Sequence, residues 1–475
     1  MLINQQDNYN QKFGEVIRSS GIFLYKYDQS FSTTISFMNY WKIKRDLKVG
    51  VIASLRSMEG TLLLRERLDF NEGNVINYRP TLKNQASFMG SVEIEIFSAS
   101  NMVIPYAAIM VIYEAPGSCS FVHTYGRTYS RYEVEEKNII SEGHEACWIL
   151  KDDDNVVSKA YFHNGAEGAD SQDIKLNIKN HENKAISATI KNVSLKPFET
   201  YEIAPNKHFP DLVNFLDGKW GSCSISFSLN QAFTRALLVT ESKNAWQVTH
   251  SNFDYSKHNT DLLEDPESQT AYMFIPQICP NQSIIVYPDS NPGNYSLTFE
   301  DGRKIDFDSG TLLSEHCSSG FVKFARNDGH LPSRIVTAIS GHQKNNLPFE
   351  CSLGVLTKRK PPKHFWWGLI GGKSQYSSRL FIHDNPEVYG EIKPTDQLEV
   401  SVVSKKGQDT QVKTFNSIDL DLFKSGVEFK EIFTNIIEFL DDDFGYYLIK
   451  SSYPGFTVYS SLESETGAIS FEHGF

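Results

Sequence analysis

Three histidines close copies of one pattern in this chain: "VHTY" holds His123, "THSNFDYSKH" holds His250, and "EHGF" holds His473. An imidazole titrates near neutrality, so it can act as a general base, bind an anion when protonated, or ligate a metal when neutral. Around His250 stand Asp254, Tyr255 and His258, a set able to orient and assist a base working on a sugar-type substrate. His250 and His258 are eight residues apart (258 − 250), and no third ligand follows at a telling spacing, so neither a metal nor another cofactor is expected. The structural alternative is a histidine at a strand end whose ring bonds a neighbouring backbone group.

Two arginines recur in the same way. Arg235 in "FTRALLV" and Arg334 in "PSRIVTA" each precede an apolar strand. A guanidinium beside a core must pair with a carboxylate or be offered to an anion, because burying it unpaired is costly. Arg235 and Arg334, with His123 and His473, are therefore candidate contacts for an acidic polar ligand. Trp366 and Trp367, in "KHFWWGL", are candidate stacking rings for a carbohydrate.

Residues this far apart can meet only if a repeated fold positions them. The stretch "HFPDLVNFLD" at 208–217 matches "IFTNIIEFLD" at 432–441, an offset of 432 − 208 = 224. Phe209 pairs with Phe433, Leu212 with Ile436, Val213 with Ile437, Phe215 with Phe439 and Leu216 with Leu440; the i, i+3, i+4, i+7 spacing predicts one face of a short helix. Gly221 and Gly445 follow, then "SCSISFS" and "YYLIKSS", and then the histidines, 29 residues from glycine to histidine in one copy (250 − 221) and 28 in the other (473 − 445). A turn absorbs such a one-residue slip; a strand does not.

Weaker copies carry the same order. "GSVEIEIFS", an apolar run and "FVHTY" occupy 90–125, and "SGFVKFARNDGHLPSRIVTAI" at 319–339 precedes "FECSLGVL", which has no histidine. Upstream, "KAYFHN" before "DIKLNIKN", "TAYMFIP" before "SIIVYPD" and "RLFIHDN" before "QLEVSVVSKKG" read as opening strand pairs, a part played by "TTISFMNYWKI" in the first unit. Period-two segments separated by Asn, Asp, Gly and Pro are sandwich material. The chain is thus expected to be mostly β, with about four tandem β-sandwich-like units and short helices. The units fall at 21–145, 155–265, 269–372 and 378–475, the first and third most diverged, after an N-terminal helix over 1–20 whose apolar face holds Phe13, Val16 and Ile17. A length of 475 residues demands several cores, since single cores stop growing near ~250–300 residues.

Composition excludes some functions. Against 46 basic residues stand 58 acidic ones, a net charge of −12 that repels phosphate backbones and removes nucleic acid from the candidate partners. Six scattered cysteines without a CxxC pair read as buried free thiols. The N-terminus lacks the apolar core of a signal peptide. The longest apolar run, "MVIPYAAIMVIY" at 102–113, is broken by Pro105 and is about half the ~20 residues a bilayer requires; it reads as a buried strand pair. A soluble, cytoplasmic protein without a membrane span is the expectation. No phosphate loop, dinucleotide fingerprint, GxSxG elbow or HExxH helix is present. The functional expectation is a binding or scaffold protein for a carbohydrate-like or acidic ligand or a protein partner. Its rivals are an enzyme with an inter-unit cleft in which His250 is the base beside Asp254 and Tyr255, and a structural homo-oligomer.

Overall fold

The computed structural model describes residues 16–475 apart from 71–72, 103–108, 124–126, 131–139, 144–147, 167, 231–232, 252–268, 289–292, 332–334, 345, 355–361 and 408. Side chains at 127–130, 140–143, 227–230, 233–235, 354 and 418 also lie outside the description. Alternation in the sequence becomes alternation in burial: along "DIKLNIK", Ile174, Leu176 and Ile178 are buried while Lys175 and Asn177 are exposed, the signature of a sheet with one face on a core.

The described residues form thirty-four strands. The first unit holds β1 (Val16–Tyr27), β2 (Ser32–Met38), β3 (Gly50–Ser57), β4 (Leu62–Leu68), β5 (Val75–Tyr78), β6 (Phe88–Phe97), β7 (Ile109–Ala115) and β8 (Ser118–His123). They make two antiparallel sheets, β4-β3-β6-β1 and β5-β2-β7-β8, the first extended beyond β1 by β9 (Arg127–Ser130). In the second, β10 (Ile140–Gly143) adds to β16, and the unit proper comprises β11 (Trp148–Leu150), β12 (Val156–His163), β13 (Ala169–Lys179), β14 (Ala185–Leu195), β15 (Thr200–Ile203), β16 (Gly221–Asn230), β17 (Phe233–Ser242) and β18 (Ala245–His250). The third is β19 (Thr270–Ile275), β20 (Asn281–Val286), β21 (Asn294–Phe299), β22 (Lys304–Asp308), β23 (Leu313–His316), β24 (Gly320–Arg326), β25 (Val336–His342) and β26 (Phe349–Gly354). The fourth is β27 (Phe365–Gly371), β28 (Tyr376–His383), β29 (Gln397–Val403), β30 (Thr410–Asn416), β31 (Val427–Glu428), β32 (Phe444–Ser451), β33 (Thr457–Ser464) and β34 (Ile469–His473). By position, every unit pairs its strands fourth-third-sixth-first in one sheet and fifth-second-seventh-eighth in the other. Identical topology in all four is the structural content of the repeat.

Each pair of sheets encloses a core. In the second unit Ile174, Leu176 and Ile178 face Ala160, Phe162 and Leu238, and Leu212 and Leu216 close the end. The core of the first unit continues without a break into Trp246 and Val248 of the second and Trp367, Tyr446 and Leu448 of the fourth. The units are therefore joined by apolar burial, the dominant favourable term in association.

The duplicated helix acts as a plug. Helices Leu212–Leu216 and Ile436–Phe439 lie between the fifth and sixth strands, and each chain leaves through an aspartate in the left-handed region, Asp217 at φ 52° and Asp441 at φ 59°. A Cβ on Gly221 would strike Leu216 and the Lys179 carbonyl; one on Gly445 would strike Leu440 and the Val403 carbonyl. Leucine, aspartate and glycine recur together because the plug, its left-handed exit and the close approach at the sixth strand form one packing device. Val213 and Ile437, placed on the buried face by periodicity, are 44% and 38% exposed, because so short a helix seals only one narrow stripe.

Two other expectations are corrected. Residues 16–20, assigned to a helix, begin β1, where pairing with β6 overrides the weak helical periodicity; residues 1–15 lie outside the described residues. "TAYMFIP" is a first strand, so the true counterpart of "YFHN" and "FIHDN" in the third unit is "IIVYP" on β20 and just beyond it. Of the apolar run, Ile109–Tyr113 belong to β7 and are buried, and 103–108 lie outside the described residues. Cys119, Cys223, Cys279, Cys317 and Cys351 are buried free thiols; Cys147 is outside the described residues. Among the described residues no helix is long and apolar enough to cross a membrane.

Candidate functional site

The eighth strand is the edge of its sheet, and the four edges meet. β8 packs on β18, β18 on β26, β26 on β34, and β34 back on β8, so the ring closes in chain order. Exposed edges present unpaired backbone groups, and here small side chains satisfy them. Ser118 Oγ donates to the Trp246 carbonyl at 2.8 Å and accepts from the Trp246 N–H at 2.8 Å, and the Val248 N–H donates to Ser120 Oγ at 3.2 Å. The Phe121 N–H donates to Ser470 Oγ at 2.9 Å, and Gln247 Nε2 donates to the Ile469 carbonyl at 3.0 Å.

At one end of this junction the three histidines converge. Each is the last residue of its strand, and the register is equivalent: His123 faces Met110, His250 faces Leu237 and His473 faces Tyr459 on the neighbouring seventh strand. The His123 ring lies 4.2 Å from that of His250 and 5.0 Å from that of His473, centroid to centroid, both edge-on. Phe475 covers the group, its ring 4.2 Å from His123 and 4.5 Å from His473. Glu472 completes it: one carboxylate oxygen is 3.1 Å from His123 Nδ1 and the other 3.7 Å from His473 Nε2. His250 is 2% exposed and its Nδ1 donates to the Ser251 carbonyl at 2.8 Å. One ligand atom from each of His123, His250, Glu472 and His473 lies within 4.8 Å of all the others.

The third unit, whose eighth strand lacks a histidine, contributes Cys351, whose Sγ donates to Glu472 Oε1 at 3.9 Å. Burial, and after it the Glu472 carboxylate, push the Cys351 thiol well up, so it stays protonated as a donor. Beside the junction, the neighbouring Glu350 lines a cavity shared by three units with Trp148, Trp220, Gln247, Ser340 and Ser470. Glu350 accepts from the Ile149 N–H at 3.1 Å and from the Tyr287 hydroxyl, and burial lifts its carboxyl to about 7.

The other nominated residues are distributed differently. Asp254, Tyr255, His258 and Arg334 lie outside the described residues, as does the side chain of Arg235. Trp366 and Trp367 offer no ring face to a sugar. They are 2% and 5% exposed, Trp366 packed in the core of the fourth unit and Trp367 in the core shared with the first. The spacing argument against a metal weighs neighbours along the chain and leaves aside donor atoms 127 (250 − 123) and 223 (473 − 250) residues apart. Glu472 is not among the nominated residues, and Cys351 is read from sequence only as a buried thiol; the available signal is the acid directly before the histidine in "EHGF". Neither the protein-family models nor the curated proteins compared with this chain give a match.

Proposed function

We propose that the chain is a non-catalytic binding or scaffold protein, a preassembled cluster of four sandwiches whose outer loops and sheet edges meet a carbohydrate-like or acidic polar ligand or a protein partner. The observation that carries this reading is the closed ring of β8, β18, β26 and β34, which spends the inner edges of the units on one another. The outer edge strands β4, β14, β22 and β30 are largely exposed and carry Arg65, Lys191, Lys304 and Lys413, charges that discourage indiscriminate strand pairing and leave selective contacts possible. Burial of the His250 ring and its bond to the Ser251 carbonyl weigh against its use as a base on a substrate in a groove.

The test is a panel of acidic and neutral oligosaccharides and their chromogenic glycosides, presented to the intact parent chain and to H250A. Saturable binding of an acidic oligosaccharide without turnover supports a sugar-binding scaffold. Turnover by the parent that disappears in H250A overturns the reading and restores the enzyme.

A further inference from the structure

We propose that the junction is a transition-metal site, in which one divalent cation of the zinc or cobalt type is held by a ring nitrogen from each of His123, His250 and His473 and by a carboxylate oxygen of Glu472. The inference goes beyond the scaffold reading and is independent of what the outer surface binds. Its ground is convergence: four donor atoms from three units lie within 4.8 Å of one another. Bonds of about 2.0–2.1 Å at tetrahedral angles place ligand atoms roughly 3.4 Å apart, so side-chain rotations of about an ångström complete the shell.

The donor chemistry selects the ion. Three imidazoles and one carboxylate suit Zn²⁺ or Co²⁺, whereas Mg²⁺ and Ca²⁺ demand oxygen-rich shells. Orientation is already set for two rings. His250 Nδ1 is engaged by the Ser251 carbonyl at 2.8 Å, the carbonyl–histidine arrangement that fixes metal-bound rings. His473 places Nδ1 3.5 Å from the Gly474 carbonyl and Nε2 3.7 Å from Glu472, so Nε2 faces the same space. Between His123 Nδ1 and the second Glu472 oxygen, 3.1 Å apart, the cation takes the place of the shared proton. Four protein ligands close the shell, as in structural rather than catalytic sites, and a single ion then clamps the first, second and fourth units.

The experiment uses the full chain, stripped with EDTA and dialysed, then titrated with Co²⁺ and back-titrated with Zn²⁺. The expected result is one Co²⁺ per chain with the intense visible bands of a tetrahedral site, displaced by equimolar Zn²⁺ and untouched by excess Mg²⁺. H473A, at the partly exposed end of the cluster, and the near-isosteric E472Q lose more affinity than the ~10–100-fold that outer-shell changes cause, while the distant control H364A binds like the parent. Substoichiometric binding, or equal affinity in the parent, H473A and E472Q, overturns the proposal and leaves a cluster held by ring packing against Phe475. Should H473A misfold, E472Q alone decides between the two outcomes.

Discussion

Replacing Glu350 with Gln asks what a neutral carboxyl does where three units touch. Glu350 is partly exposed as a residue, and its carboxyl accepts from the Ile149 N–H and the Tyr287 hydroxyl at the cavity wall. Burial is the largest influence and lifts the group from its ordinary 4.5 to about 7, against the opposing hydrogen bonds from Tyr287 and the Ile149 N–H. The folded state thus holds this proton more tightly than the unfolded chain does. Below about pH 4.5 both states are protonated and stability is whole; between 4.5 and 7 the unfolded chain ionises first and stability drains away; above 7 the loss is complete. At 1.36 kcal/mol per pH unit, a rise of about 2.5 units caps that loss at about 3 kcal/mol, and the residual exposure brings the expected figure nearer 2. Gln carries no charge, and its amide can accept from Ile149 while donating to the Tyr287 oxygen, which also accepts. E350Q should therefore be more stable than the parent by about 2 kcal/mol at pH 8 and match it within ~1 kcal/mol at pH 5. Urea unfolding of both proteins at pH 5, 6.5 and 8 measures the difference, and subtraction cancels every other titration. A difference that does not change with pH, or an E350Q protein less stable than the parent at pH 8, refutes the reasoning.

Other outcomes follow from the plug and from the contact between the first and fourth units. G445A drives a methyl into Leu440 and towards the Val403 carbonyl and should cost about 1–3 kcal/mol; in an L440A background the added cost should fall by at least half, as a double-mutant cycle of urea midpoints will report. Arg79 pairs with Asp443 across the two units, with Lys405 Nζ 3.1 Å from the same carboxylate. Burial alone would raise the Asp443 carboxyl, but the Arg79 and Lys405 charges overcome it and hold the group at about 2. A depressed carboxyl stabilises above its unfolded value and loses that contribution as pH falls through its folded one. R79A should therefore cost about 1–2 kcal/mol at pH 7, discounted because Arg79 is partly exposed, and the gap from the parent should close between pH 4 and pH 2 in acid-unfolding curves.

What could be read along the chain was what is local. The leucine and glycine of the plug stand five residues apart (221 − 216 and 445 − 440) and close on each other, so 217 and 441 advertise the same turn and 221 and 445 the same close approach. The closing histidines were legible as equivalents because each ends an eighth strand. Their meeting was not, since it depends on how four sheet edges pack, which no spacing encodes. Trp366 and Trp367 show the same limit: adjacent strand residues point to opposite faces, and β27 happens to be covered on both, by its own core and by the first unit. Recurrence alone was also no guide to role. His163 and His383 recur at the ends of β12 and β28, 1% and 8% exposed, each bonded to an adjacent oxygen of Thr200 or Asp384.

The cyclic order of the units has one more consequence. Were the four sandwiches identical chains in a symmetric tetramer, any residue at the meeting point would occur there four times, and one unfavourable exchange would be multiplied fourfold. Covalent linkage lifts that constraint: the eighth strands can bring different residues to the centre, His123 and His250 in two quarters, Cys351 in a third, and an acid beside His473 in the last. Each quarter of the junction can thus change without dragging the others with it.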